Sequence, residues 1–145
     1  MTNTVKIAFH LEPTDPDVAL GFEAWIDDNK FFDTDHVKTA QDISVDIADT
    51  EADHKLRFVL KNKTSAHTQH NSEGELIKDA RLIITKVTFD EIDLNYLVTE
   101  HSVYEHDFNG SRSPTQEKFY SIMGCNGTVT LDFSTPTYMW LLENM

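Results

Sequence analysis

The chain is poor in cysteine, glycine, proline and positive charge. A single cysteine, Cys125, in 145 residues cannot close an internal disulfide, so the core must hold the fold and a reducing compartment suits it. With 5 glycines and 4 prolines there is no low-complexity tract, and no internal repeat is visible. Lysine and arginine together number 12 against 25 aspartates and glutamates, a formal net charge of -13. That field repels phosphate backbones and anionic lipid surfaces, so neither a nucleic acid nor a membrane is expected as a partner. No apolar run approaches the length that spans a bilayer, the longest being Tyr138 to Leu142. The opening residues Met1 to Ile7 lack the apolar stretch of a signal peptide, so synthesis and folding in the cytoplasm are expected.

What the chain does have is period-two alternation. In Asp53 to Lys63, Leu56, Phe58 and Leu60 alternate with Lys55, Arg57, Val59 and Lys61, the pattern of a strand with one buried and one wet face. This reads as the central strand. Its basic row, Lys55, Arg57, Lys61 and Lys63, is expected to meet carboxylates on neighbouring strands, because opposite charges facing across a ladder are favourable. Arg81 or Lys86 is its expected cross-strand company.

The same alternation predicts a strand over Val5 to Leu11, ended by Pro13 and Pro16, and another over Val18 to Ile26 that turns at Asp27-Asp28-Asn29-Lys30 into Phe31-Phe32. Ile43, Val45 and Ile47 mark a further strand, and Asp49 to Asp53 an acidic turn. Thr64 to Lys78 is polar and predicts a surface loop. Asp79 to Leu94 holds one strand and the start of another, while Asn95 to Ser121 follows neither period for long and reads as a long connection with aromatic anchors. Gly124-Cys125-Asn126-Gly127 is a turn into a β-branched strand from Thr128 to Phe133, after which Ser134 or Thr135 caps a short helical end with Pro136 at its first position. A length of 145 residues suits one domain spanning 1–145. Short strands between turns, with little helix, predict an all-β antiparallel sandwich, jelly-roll in its expected version.

Cys125 with 7 histidines in the chain raises a nucleophilic reading, which needs a base beside the thiol. The flanking glycines belong to no such motif, so a turn cysteine is expected. His67 and His70, and His101 and His106, are spaced like fragments of a zinc site, but no second pair completes one. Asp27-Asp28-Asn29, Asp33-Thr34-Asp35 and Asp90-Glu91-Ile92-Asp93 offer hard oxygens to calcium without the glycine and distal glutamate of a calcium loop. They read as turn acids. Asn62, Asn109 and Asn126 head glycosylation sequons, which carry little weight without a secretory signal. No catalytic residue, metal ligand or cofactor is therefore expected. Tyr138-Met139-Trp140-Leu141-Leu142 either closes the domain's own core, the usual fate of large apolar residues, or fills a groove on a neighbouring subunit. With the loop histidines His67 and His70, these five residues are the expected interface.

Two further stretches bear on function. Gly21 to Phe32 followed by Asp53 to Thr64, and Phe119 to Leu131 with Tyr138 to Leu142, resemble small β-sandwich proteins of marine tailed phages with contractile tails, cyanophages in particular. The resemblance covers about a third of the chain and implies a non-enzymatic virion protein of head, neck, tail or fibre, made in the host cytoplasm. It further implies a homo-oligomer, or docking on other virion proteins. The first stretches also faintly resemble calcium-dependent jelly-roll carbohydrate-binding modules. That likeness implies a host surface glycan as ligand, through calcium and the faces of Trp25, Tyr96 or Tyr104, with no binding residue carried over.

Overall fold

The computed structural model describes residues 4–63, 68–70, 76–106 and 113–144, with the side chains of 68–70, 76–79 and 95 outside that description. Strand β1 (Thr4–Pro13) buries Val5, Ile7, Phe9 and Leu11 and turns the residues between them outward, as its alternation predicts. It lies between β4 (Gln41–Ala48) and β8 (Leu82–Phe89), antiparallel to both. β12 (Ile122–Met123) and β9 (Ile92–Asp93) add to β8, completing a five-stranded sheet. The β8–β9 turn places Asp90 and Glu91 at φ of 50° and 70°. That is the left-handed backbone a two-residue hairpin needs, and aspartate tolerates it better than most residues.

The second sheet has six strands, ordered β11-β10-β13-β5-β2-β3. They are β2 (Gly21–Ile26), β3 (Asn29–Thr34), β5 (Ala52–Lys61), β10 (Ser102–His106), β11 (Thr115–Lys118) and β13 (Gly127–Thr135). β5 sits inside this sheet, with β13 on one side and β2 on the other. Leu56 faces Leu131 and Ile26, and Phe58 faces Val129 and Ala24, so one apolar row crosses three strands. Across the sandwich Phe58 meets Phe9 with ring centroids 4.7 Å apart, and Phe89 meets Phe133 at 4.9 Å. The sandwich is thus an all-β, mostly antiparallel fold, as the sequence predicts. β1 pairs directly with β4, and β2 with β5. This order does not by itself amount to a jelly roll.

Three segments differ from expectation. The strand expected from Val18 begins at Gly21. Within the stretch read as a polar loop, β6 (Thr68–His70) and β7 (Leu76–Asp79) pair antiparallel. The stretch read as a long connection holds helix α1 (Asn95–His101) followed by β10 and β11. Leu94, Leu97 and Val98 are buried, the i, i+3, i+4 stripe of a helix, but one spanning too few residues to establish a period. Helix α2 (Thr137–Asn144) follows β13 directly after Pro136, close to the predicted helical end. It closes the end of the sandwich, where Trp140 packs on Phe89 at 5.9 Å and on Phe133 at 6.3 Å.

Candidate interaction surface around the last helix

α2 is tied down by the turn that precedes β5. The Thr135 hydroxyl donates to the Thr50 carbonyl, with the Ala52 carbonyl 3.3 Å away. The Thr137 amide, one of the unpaired donors of the first helical turn, donates to Asp49 Oδ1 at 3.0 Å. The helix is thereby held in one rotation. Thr137, Trp140 and Leu141 face inward and are buried, because positions three and four apart share a face. Tyr138, Met139 and Leu142 face out, at 61%, 47% and 74% exposure. The five-residue apolar run therefore splits into an inward pair, Trp140 and Leu141, and an outward trio.

Two adjoining clefts run between α2 and the β5–β13 pair. One, of about 380 Å³, lies among Glu51, Ala52, Pro136, Met139 and Glu143, and the other, of about 390 Å³, among His54, Lys55, Asp132, Phe133 and Trp140. Asp53 and Ser134 line both, so they form one groove. Lys55 pairs with Asp132 at 2.7 Å. Glu51, Asp53 and Glu143 are exposed and enter no ion pair among the described residues.

His54 forms the wall of this groove. Its Nδ1 lies 2.7 Å from Asp27 Oδ2, its ring stacks on Phe133 at 5.3 Å, and its Nε2 lies 3.4 Å from Thr135 Oγ1. Burial alone would raise the Asp27 carboxyl, but the hydrogen bonds from His54 and the Lys55 amide outweigh it and hold the group below its ordinary range. An acid, an imidazole and a hydroxyl in line resemble a nucleophilic relay. Thr135, however, is 4% exposed and its proton lies toward the Thr50 carbonyl. The line works as a tie among β2, β5 and β13.

The outer face of the six-stranded sheet carries the basic row. Lys61 Nζ reaches Glu23 at 2.9 Å, Asp33 at 2.6 Å and Asp35 at 3.5 Å. The hydrogen bonds it donates to Asp33 and Glu23 push the Lys61 ammonium well above its ordinary range, and the lysine in turn holds Glu23 and Asp33 low. Lys55 and Lys61 thus meet carboxylates of neighbouring strands, as expected. Lys63 does not share the face, because Asn62 at φ 70° turns the chain and Lys63 is buried with its ammonium on the Gly124 carbonyl. Arg81 and Lys86 are not cross-strand company either. Arg81 immediately precedes β8 and Lys86 lies within it, in the other sheet. Arg57 donates to the Asp27 carbonyl at 3.3 Å and lines a cleft of about 480 Å³ with Val103, Gln116, Thr128 and Thr130. Trp25 sits opposite Arg57 on β2, its indole N–H on Glu23 at 2.9 Å and the Lys30 ammonium 5.6 Å from its ring.

The remaining sequence candidates are dispersed. His67 lies outside the described residues, and His70 is on β6 with its side chain likewise outside. His106 is buried, its Nε2 2.8 Å from Glu117, while His101 lies at the end of α1 with its ring 6.4 Å from that of Trp140. Cys125 is half-buried in its turn, where the Tyr104 hydroxyl accepts from its amide and donates to its carbonyl. That leaves Tyr104, 3% exposed, without the open face a sugar would need, whereas Tyr96 is 72% exposed. Among the described residues no three histidine, cysteine or acidic side chains are arranged to hold a metal ion. The groove carboxylates Glu51, Asp53 and Glu143 escaped sequence reasoning. The acidic turn at Asp49 to Asp53 was visible, but nothing in the sequence brought it to α2. Comparison of the chain with family models, with curated proteins and with solved structures finds no match.

Proposed function

We propose that this chain is a non-enzymatic structural or decorating component of a tailed-phage particle, held to its neighbours by protein–protein contacts made through α2. The observation that carries this reading is the outward trio Tyr138, Met139 and Leu142 on a helix anchored by Trp140 and Leu141. Large apolar side chains grouped on an anchored surface are the usual mark of a contact site, and aromatic and methionine residues are enriched at the centre of interfaces. The likeness of Gly21 to Phe32, Asp53 to Thr64 and Phe119 to Leu131 to virion sandwich proteins supports the particle as its setting. Mass spectrometry of purified particles tests this. The reading expects the chain at a fixed copy number per particle, and its absence from washed particles would reject it.

A second reading has its own observation. The Arg57 cleft offers the guanidinium, the hydroxyls of Thr128 and Thr130 and the Gln116 amide, with Trp25 in the adjacent strand. This combination of hydrogen-bonding groups beside an aromatic ring suits a glycan. Binding on a panel of immobilised glycans that is lost in Arg57→Ala would favour it over the first reading.

A further inference from the structure

We infer that the groove beside α2 receives a basic, amphipathic segment of a different protein rather than a second copy of this chain. The inference rests on the reading of α2 as the contact face and adds the chemistry of the occupant. Two features of the groove carry it. Its apolar part, Met139 with Pro136 and the flanking Leu142, requires apolar side chains from the partner. Its rim is acidic: Glu51 and Asp53 stand on the β5 side and Glu143 on the helix side, one turn from Met139, so carboxylates border the groove from both walls. Among the described residues the one lysine lining the groove is Lys55, and it is already matched by Asp132.

That charge pattern selects the partner. In a two-fold dimer the same patch faces itself, which would bring Glu51, Asp53 and Glu143 of one copy toward those of the other in a chain of net charge -13. Like charges juxtaposed at an interface oppose association strongly. Lysines or arginines flanking an apolar stripe answer both features at once, and the field of the chain steers such a segment toward it.

The probe is a synthetic helical peptide with leucines at i, i+3, i+4 spacing and lysines elsewhere, compared with its glutamate counterpart by fluorescence anisotropy. The lysine peptide should bind and the glutamate peptide should not. Binding should weaken at least about tenfold between roughly 0.05 M and 0.5 M salt. The triple variant Glu51→Gln, Asp53→Asn, Glu143→Gln should weaken it about as much, and so should Met139→Ser with Leu142→Ser, in line with charge and apolar contacts both being needed. A charge-matched control, Asp17→Asn, Asp46→Asn, Glu105→Gln, lies outside the groove and should leave binding unchanged. An NMR titration of the unaltered chain should move resonances of α2 and of residues 51–53, a readout that needs no variant to fold. Equal binding of the glutamate peptide, equal weakening by the control variant, or no binding at all would overturn the inference. Sedimentation showing a dimer that Leu142→Ser dissociates would also overturn it, while leaving α2 as the contact face. If neither peptide nor second copy engages α2, and the Leu142→Ser chain enters particles as the wild type does, then the reading of α2 itself fails.

Discussion

His54 Nδ1 lies 2.7 Å from Asp27 Oδ2, so a side chain on the central strand holds the turn that ends β2, and Asp27 Oδ1 takes the Lys55 amide of the same strand at 2.8 Å. The contact also explains why Asp27 sits at φ 53°. The left-handed backbone aims the carboxylate at β5, and aspartate is among the residues that adopt it most readily. On its far side His54 reaches Thr135, which leads into α2. The placement of α2 thus rests on contacts made from the six-stranded sheet.

A pH dependence follows. The carboxyls of Asp27, Glu23 and Asp33 are all held below their ordinary range in the folded chain. As pH falls through that range the unfolded chain takes up protons before the folded one does, so the stability these groups contribute is present above about pH 4 and is lost as pH falls below it. Urea midpoints measured from about pH 6 down to pH 3 should therefore fall on the acid side. Asp27→Asn should flatten part of that fall and leave the rest, which belongs to the carboxylates around Lys61. An unchanged profile in Asp27→Asn would remove the Asp27–His54 contact from the account.

The core prediction is mechanical. Phe58 is 2% exposed and meets Phe9, Phe22 and Phe119, so Phe58→Ala should cost about 3–5 kcal/mol by denaturant titration. A loss within the surface range of about 0.5 kcal/mol would take this ring out of the core.

Two glycines meet neighbours of different kinds, side chain at one and backbone at the other. A Cβ at Gly21 would stand 2.6 Å from Lys61 Cγ and 2.7 Å from Asn62 Nδ2, both of them side-chain atoms. A Cβ at Gly127 would stand 2.2 Å from the Glu105 carbonyl oxygen, part of the β10 backbone that cannot yield without breaking the ladder. Gly127→Ala should cost more than Gly21→Ala, with overpacking of this kind typically costing about 1–3 kcal/mol. Equal melting temperatures for the two variants would contradict the close approach of β13 to β10.

Calcium should leave the melting temperature where it is. Of the candidate acids, Asp27 is already engaged with His54, and Asp33 with Lys30 and Lys61, and no three acidic, histidine or cysteine side chains among the described residues are arranged to hold an ion. A bound ion would stabilise the folded chain by mass action. A saturable rise with calcium, reversed by chelator and abolished in Asp33→Asn, would contradict this and favour the glycan reading.

Where the sequence is legible, one physical pattern makes it so. β1, β4, β5, β8 and β13 each keep one face on the core, and alternation reports such strands directly. α1 and β10 were hidden because seven helical residues, with Tyr96 outward and Leu97 and Val98 inward, run straight into a strand. Neither period lasts long enough to register. For the same reason Tyr138 to Leu142 showed only as an apolar block. Its division into anchors and an exposed trio depends on the rotation of α2, which Thr135 and the Asp49 contact to Thr137 set through residues far away in the chain. The groove acids Glu51 and Asp53 needed that same long-range contact to become neighbours of Glu143.

The most direct measurement sets the two faces of α2 against each other. Trp140→Ala should cost about 3–5 kcal/mol, since the ring packs on Phe89 and Phe133. Leu142→Glu, at a position 74% exposed, should shift stability by no more than about 0.5 kcal/mol. Incorporation of Leu142→Glu into particles, counted against wild type by quantitative mass spectrometry, is the deciding number. The account predicts a fully folded variant that is largely excluded from particles. A folded variant incorporated at the wild-type copy number would contradict it.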